Sequence, residues 1–85
     1  MASKISYKAS AEADLRRLDK ALVRRILGKI ETALSLNPNV GIPLSGDFVG
    51  FFKLRIGDYR VIYAKTRDGV LVLRIGHRKD IYRRH

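Results

Sequence analysis

Residues 53–63 read KLRIGDYRVIY and contain the signature of a β-hairpin. Strand-forming residues flank Gly57-Asp58, and a two-residue connection that begins with glycine is typical of a tight turn between antiparallel strands. This turn would place Arg55 directly opposite Arg60. Like charges that face each other across two strands destabilise a sheet, so the hairpin raises the question of what the two arginines bind.

Similar patterns predict the strands around the turn. Residues 3–8 alternate apolar and polar side chains and form a first strand. The hairpin strands span Phe51–Ile56 and residues 59–64, and a turn at residues 67–69 leads into a last strand at residues 70–76. The three C-terminal strands would then form an antiparallel meander.

The segment between the first strand and the hairpin carries a helical pattern. Its apolar residues recur three or four positions apart along one stripe, at Leu15, Leu18, Leu22, Ile26, Ile30 and Leu34. Ser10 is a candidate N-cap and Asp19 is a candidate cap for a second helix, so we predict a helical hairpin rather than one rod. The pattern ends before Asn37-Pro38, and residues 37–50, which hold both prolines and three of the seven glycines, are predicted to be a loop.

The order of strand, helices and antiparallel meander indicates an α+β fold, with one small sheet and the helices on one of its faces. The 85 residues, 1–85, fit a single domain, because a chain of this length supports one core. The pattern does not fix which face the helices cover, since Ile62, Val70 and Val72 make the second face apolar as well.

The chain is strongly basic, and its charge is uneven. Eighteen Lys and Arg residues against eight Asp and Glu residues give a net charge of +10. Residues 1–52 carry eight basic and five acidic residues, for +3, whereas residues 53–85 carry ten and three, for +7. This charge predicts a polyanion or an acidic protein as the partner, bound mainly by the last third of the chain.

The composition also narrows the type of site and the compartment. The sequence lacks cysteine, a metal-ligand spacing of Asp, Glu and His, and a Gly-rich phosphate loop, so we expect no metal and no cofactor. It shows no signal peptide and no apolar stretch near the roughly 20 residues of a membrane span. We therefore expect a soluble cytoplasmic protein without membrane contact.

The hairpin arginines belong to a larger predicted patch. We place the apolar residues of the last two strands on one face, namely Val61, Tyr63, Leu71, Leu73 and Ile75. Arg60 then lies near Arg74 on the other face, with Lys53 and Arg55 beside them. Guanidinium groups hold phosphate oxygens bidentately, and a bound phosphate would relieve their mutual repulsion. The alternative is that these long side chains simply extend into water.

The end of the chain adds two groups that suit RNA. His77 supplies an imidazole, although a single histidine is more often structural than catalytic. Tyr82 either anchors the chain end or stacks on a base beside Arg78.

Two segments resemble the RelE branch of the RelE/ParE toxins. The first combines Lys53-Leu54-Arg55 with Gly57-Asp58-Tyr59-Arg60 and Val61-Ile62-Tyr63, and the second is residues 76–82, GHRKDIY. The resemblance spans nearly the whole chain. It implies the toxin of a type II toxin–antitoxin pair, a ribosome-dependent endoribonuclease that cuts messenger RNA in the decoding site and is neutralised by an antitoxin wrapped around it.

The resemblance also implies residue roles. Lys53 is similar to a catalytic lysine, and Arg60 to the arginine on the transition-state phosphate. Arg78 is similar to the arginine near the leaving oxygen, and Tyr82 to the tyrosine that orients or stacks on the substrate. The best-studied member of the family has a second lysine where Phe51 stands here.

RNA cleavage without a metal needs a base for the 2′-hydroxyl proton, fixed positive charge for the phosphorane and a proton for the leaving 5′-oxygen. Guanidinium groups stay protonated and suit the second task. Lys53 is the favoured base, provided that neighbouring cations favour its neutral form, and His77 is the competing acid or base. We assign RNA binding to Arg55, Arg74 and Lys79.

Two other functions are open from the sequence. A ParE-like protein of the same fold would inhibit DNA gyrase through protein contacts, and a non-catalytic binding module would use its charge only for phosphate contacts. For the toxin, we expect the ribosome, messenger RNA and a cognate acidic antitoxin as partners. The antitoxin would cover Ile62, Val70 and Val72 and form a hetero-oligomer with the toxin.

Overall fold

The computed structural model describes residues 3–81, which form two helices packed on a five-stranded sheet. The elements are β1 (Lys4–Tyr7), α1 (Ala9–Arg16), α2 (Lys20–Leu36), β2 (Ile42–Pro43), β3 (Phe51–Ile56), β4 (Tyr59–Lys65) and β5 (Gly69–His77). The sheet order is β1-β5-β4-β3-β2, with β1 parallel to β5 and the other neighbours antiparallel. The predicted α+β class and C-terminal meander are confirmed.

The two helices begin in different ways. Asp19 caps α2 as predicted, because its carboxylate accepts a hydrogen bond from the Ala21 N–H at 3.2 Å. The predicted cap of α1 is wrong, since α1 begins at Ala9 and Lys8 occupies the cap position without a side-chain bond. The Ser10 hydroxyl donates instead to the Leu73 carbonyl of β5 at 2.7 Å, so it joins the helix to the sheet.

The apolar stripe of α2 forms one side of the core. Ile26, Ile30 and Leu34 are fully buried, and they pack in one cluster with residues of the sheet. Burying one such side chain stabilises the fold by about 1.5 to 3 kcal/mol. The predicted helical stripe is therefore confirmed.

A β-bulge changes which residues of β5 face the helices. The register passes from Ile62 opposite Arg74 to Tyr63 opposite Val72, which leaves Leu73 as an extra residue. For the residues of β5 that precede Leu73, the extra residue therefore exchanges the two faces: side chains expected to face the core face outward, and those expected to face outward face the core. The predicted placement of Leu71 and Leu73 with the core residues is therefore wrong, and Val70 and Val72 take that place.

The apolar surface expected to receive a partner is also different. Val70 and Val72 are 1% and 0% exposed, and Ile62 is only 6% exposed. Ile62 lies between Lys53 and Arg74 in the sheet, and the methylene stems of such side chains cover apolar surface. The large apolar residues that are exposed within residues 3–81 are Leu36, Val40, Ile42 and Val49.

The predicted loop at residues 37–50 contains a short edge strand. Ile42 and Pro43 of β2 pair with Lys53 and Phe52, and a 3-10 turn follows at Gly46–Phe48. The hydroxyl of Tyr63 accepts from the Gly41 N–H at 2.9 Å and donates to the Pro38 carbonyl at 3.0 Å. Two residues are too few to give a strand pattern, so this element has no signal in the sequence.

Candidate functional site

The β3–β4 hairpin presents basic side chains on the face away from the helices. Arg55 lies directly opposite Arg60, as predicted, and Gly57 makes the turn with a φ of 58°. Strand alternation places Lys53 on the same face as these two arginines, and Arg74 joins them from β5. We call Lys53, Arg55, Arg60 and Arg74 the cationic sheet face.

The arginines of the hairpin have weak polar partners. Nη1 of Arg60 lies 3.3 Å from the Tyr59 carbonyl oxygen and 3.5 Å from that of Gly57. Within residues 3–81, neither Lys53, Arg55 nor Arg60 forms an ion pair with a carboxylate. The hairpin therefore offers positive charge to an anion from outside the chain.

Arg74 differs because a buried carboxylate holds it. Its Nε and Nη2 donate to the two oxygens of Asp14 at 2.8 and 3.2 Å, and Asp14 also accepts the Ile75 N–H at 2.8 Å. The hydrogen bonds that Arg74 donates to Asp14 raise the pKa of Arg74 above its usual value. This side chain is fixed as a cation at the edge of β5 that β1 leaves uncovered.

The segment after β5 brings Arg78 to the same hairpin turn. The Arg78 N–H donates to the Asp58 carbonyl at 2.8 Å, and its Nε lies 4.0 Å from the Asp58 carboxylate. Both side chains are more than half exposed, so this ion pair is weak. Arg60 in β4 and Arg78 in the segment after β5 thus flank one turn.

The chain then folds back over the end of β5. The Ile81 N–H donates to the His77 carbonyl at 3.0 Å, and the Ile81 Cδ1 lies 3.1 Å from the position that a Cβ on Gly76 would take. Lys79 is exposed beside this turn. Tyr82, the remaining predicted site residue, lies outside the described residues.

His77 lies apart from the cationic sheet face. It is opposite Tyr59 in the register, and the two rings pack edge to face with centroids 5.5 Å apart. Its Nδ1 accepts the Lys79 N–H at 3.2 Å. Strand alternation thus directs His77 to the face opposite Arg60.

A groove of about 480 Å³ lies at the open end of β5. Leu18, Ile75 and Ile81 contribute apolar walls, whereas Arg17 and Arg74 contribute charge. Among residues 3–81, no group of three or more His, Asp and Glu side chains is placed to hold a metal ion.

Two residues near the site were not predicted. Asp14 is 8% exposed and lies on the buried side of α1. The available signal in the sequence was the position of this acidic residue within the apolar stripe of the helix. Arg25 of α2 reaches the hairpin, since its Nη2 lies 3.9 Å from the position of a Cβ on Gly57. No sequence pattern connects Arg25 with a turn 32 residues later.

None of the helices in residues 3–81 is both long and apolar enough to cross a membrane.

Comparison with known proteins places this arrangement in a family. Residues 5–82 match the family model described as the ParE toxin of the type II toxin–antitoxin system parDE. Toxin RelG of Mycobacterium tuberculosis is 34% identical over 83 residues, which cover 94% of this chain and 95% of RelG. Toxin RelE of the same organism is 35% identical, with 93% and 84% covered.

A solved structure gives the same result. One chain of the RelBE2 toxin–antitoxin complex of Mycobacterium tuberculosis superposes with a TM-score of 0.84 and 29% identity, covering 94% of this chain and 95% of that one. These three matches cover 93 to 94% of this chain and 84 to 95% of the matched protein. The chain is therefore a member of the RelE/ParE superfamily and a toxin of the type II toxin–antitoxin class.

Proposed function

We propose that this toxin is a ribosome-dependent endoribonuclease that cleaves messenger RNA in the decoding site and so inhibits translation in the cytoplasm. The observation that carries the proposal is the position of Arg60 and Arg78 at one hairpin turn, next to Lys53 and Arg55. This arrangement supplies positive charge, without a carboxylate partner at Arg60 within residues 3–81 and only weakly paired at Arg78, where a phosphodiester can approach. The similarity to Toxin RelG and Toxin RelE supports the same assignment.

The reaction follows from the groups that the site offers. The 2′-hydroxyl loses its proton and its oxygen attacks the adjacent phosphorus, after which the bond to the 5′-oxygen breaks and that oxygen gains a proton. The products are a 2′,3′-cyclic phosphate and a 5′-hydroxyl. Arg60 and Arg78 stabilise the negative charge of the phosphorane, because guanidinium groups remain protonated throughout.

Lys53 is the proposed base. It lies on the cationic sheet face, whereas His77 points to the opposite face and its Nδ1 accepts the Lys79 N–H. Phe51 stands where the best-studied member of the family has a second lysine; it lies on the face of Lys53 by alternation and supplies no base. In the same scheme Tyr82 orients or stacks on the substrate.

The remaining basic residues bind RNA in this proposal. Arg55 and Lys79 are exposed beside the proposed cleavage site. Arg74 is held by Asp14 and provides a fixed charge rather than a mobile one. Phosphate contacts of this kind position the strand without selecting its bases.

Dependence on the ribosome follows from the proton chemistry. Lysine and arginine are poor proton carriers at neutral pH, and the part of the proposed site within residues 3–81 lacks a paired acid and base. Holding the 2′-hydroxyl in line with the scissile bond can lower the barrier by about 7 kcal/mol or more in favourable cases. A bent message in the decoding site would provide this alignment.

The direct test is cleavage of one message, either free or bound to programmed ribosomes, at matched salt. We expect cleavage only in the programmed complex, and the rate should fall as the salt concentration rises. Equal cleavage of the free message would reject ribosome dependence.

An acidic antitoxin is the proposed partner in the cell. The Mycobacterium tuberculosis structure is that of a toxin–antitoxin complex, and this chain has a net charge of +10. The apolar residues available to such a partner are Leu36, Val40, Ile42 and Val49. Co-expression with the acidic product of an adjacent reading frame should restore growth and yield a co-purifying hetero-oligomer. Failure of both would count against this pairing.

A ParE-like gyrase inhibitor is the second candidate, since the matching family model is described as a ParE toxin. The two functions differ in the process that stops first. After induction, early loss of labelled amino acid incorporation supports the ribonuclease, whereas early loss of labelled thymidine incorporation supports the gyrase inhibitor.

A further inference from the structure

The turn that follows β5 is organised around His77. Three consecutive amide N–H groups donate to this one residue. That of Lys79 donates to the imidazole Nδ1 at 3.2 Å, and those of Asp80 and Ile81 donate to the carbonyl oxygen at 2.8 and 3.0 Å. The two carbonyl bonds would be available to any residue at position 77. The bond to Nδ1 depends on the side chain, so it is the part of this turn that a substitution can remove.

Arg78 lies between two peptide groups that are both held in place. The group before its Cα contains the Arg78 N–H, which donates to the Asp58 carbonyl at 2.8 Å. The group after its Cα contains the Lys79 N–H, which the His77 imidazole accepts. A peptide group is planar, and φ and ψ are the only soft backbone dihedrals of a residue. Holding both groups therefore sets the direction in which the Arg78 side chain leaves the backbone.

This direction matters because the Arg78 side chain itself is held weakly. Its Nε lies 4.0 Å from the Asp58 carboxylate, and both side chains are more than half exposed, so this pair contributes little to fixing the guanidinium. Arg60 differs, since it lies within β4 and is paired in register with a residue of each neighbouring strand. The backbone of the turn thus determines where Arg78 stands relative to Arg60.

The surroundings of the His77 ring suit anchoring better than proton transfer. The ring packs edge to face on Tyr59, with centroids 5.5 Å apart, and strand alternation directs it away from Arg60. Its Nδ1 is occupied by an amide two residues later in the chain. The same spacing occurs where the side-chain oxygen of Asn37 accepts the Asn39 N–H at 3.0 Å. An asparagine can therefore make this type of bond without an imidazole.

We infer that His77 is a positioning residue for the proposed cleavage reaction. Its imidazole orients the turn that carries Arg78, so that the Arg78 guanidinium meets the phosphorane, and it takes no part in proton transfer. The inference rests on the proposed function for the reaction that Arg78 serves. It also gives a reason for a histidine that lies beside the site but faces away from Arg60.

The test separates the two contacts of the ring. H77F keeps an aromatic ring against Tyr59 and removes the acceptor, whereas H77N removes the ring and keeps an acceptor at the same spacing. N37A is the matched control, because it removes the equivalent bond to Asn39. Asn39 accepts a hydrogen bond from Lys65, at the end of β4 opposite the hairpin turn. Single-turnover cleavage is measured at several concentrations of programmed ribosomes, and amide hydrogen exchange is measured at Lys79.

We expect H77F to lower the maximal rate of cleavage about three- to tenfold, which corresponds to the loss of one hydrogen bond. The half-saturating ribosome concentration should not change, because Arg78 acts on the transition state. H77N should recover most of the rate, and N37A should cleave like the parent. In an Arg78→Ala background, H77F should cause no further loss. Exchange at Lys79 should be faster in H77F than in the parent, H77N or N37A, and circular dichroism should show that all variants are folded.

Four results would overturn the inference. They are a parent rate in H77F, an inactive but folded H77N, an undiminished effect of H77F in the Arg78→Ala background, and unchanged exchange at Lys79 in H77F. An inactive H77N would assign proton transfer to the imidazole itself. Absence of cleavage by the parent would instead reject the proposed function, and the exchange rates at Lys79 would still show whether the His77 side chain holds the turn.

Discussion

Arg74 and Arg60 lie on the same face of the sheet in neighbouring strands, yet their surroundings differ. At the edge of β5, the buried Asp14 binds Arg74 with two hydrogen bonds and also accepts the Ile75 N–H. At the β3–β4 turn, the polar partners of Arg60 among residues 3–81 are backbone carbonyls at 3.3 and 3.5 Å, and Arg60 faces Arg55 across the strands. Within residues 3–81, the fold thus pairs Arg74 with a carboxylate and leaves Arg60 without one.

The difference separates a structural arginine from available ones. Asp14 satisfies a backbone donor on the stretch of β5 that β1 does not cover, so its ion pair belongs to the closure of the sheet. The Arg55 and Arg60 pair costs about 0.2 to 1 kcal/mol as like charges in direct opposition. Violations of this kind are typical of functional sites, where a ligand offsets them.

The largest expected effect is at the β3–β4 turn, where Arg60 has no carboxylate partner within residues 3–81 and the ion pair of Arg78 is weak. Arg60→Ala and Arg78→Ala should each lower the rate of message cleavage on programmed ribosomes by about 10² to 10³. Each substitution removes a positive charge that stabilises the negatively charged phosphorane. Both proteins should remain folded, since neither side chain is in the core. Arg67→Ala, at an exposed turn, is the control and should cleave like the parent. Full toxicity of either folded site variant would reject the assignment.

Substitutions in the Asp14–Arg74 pair should instead change the free energy of unfolding. Asp14→Ala should lower the free energy of unfolding by about 2 to 3 kcal/mol, because it leaves the buried Ile75 N–H without an acceptor and removes two bonds to Arg74. Asp58→Ala is the matched control, since its ion pair with Arg78 is long and exposed and contributes about 0 to 1 kcal/mol. Urea unfolding measures both. Equal losses would mean that the two pairs do not differ as described.

The sequence predicts the hairpin end well and the β5 edge poorly. A two-residue turn fixes the register of its strands, so the opposition of Arg55 and Arg60 follows from Gly57-Asp58 alone. The bulge at Leu73 leaves no mark in the sequence, because every position of β5 from Val70 to Leu73 is apolar and no alternation shows which residues face the core. This one extra residue explains why Val70 and Val72 were expected on the wrong face.

The same contrast applies to the site. Lys53, Arg55 and Arg60 come together through local strand geometry, which alternation predicts. The partner of Arg74 is 60 residues away in the chain, and only tertiary structure brings Asp14 to it. Local patterns predict the charges that the hairpin presents, whereas the neutralisation of a charge depends on packing between elements.

The smallest expected effect tests whether the hairpin charges oppose folding. Arg55→Thr should raise the free energy of unfolding by about 0.2 to 1 kcal/mol, because it removes one of two like charges in direct opposition. The same substitution of Arg74 should lower stability, since Asp14 would lose its partner. Urea denaturation with an unchanged slope would assign the difference to stability.

Threonine also suits a strand better than arginine does, so the gain must be traced to charge. Repulsion between exposed side chains is screened by salt, and the advantage of Arg55→Thr should therefore shrink as ionic strength rises. In an Arg60→Thr background the like charge is already absent, and the electrostatic part of the gain should vanish. A gain that persisted unchanged in high salt and in that background would come from strand propensity. The hairpin arginines would then impose no electrostatic cost, and the contrast with Arg74 would lose its energetic basis.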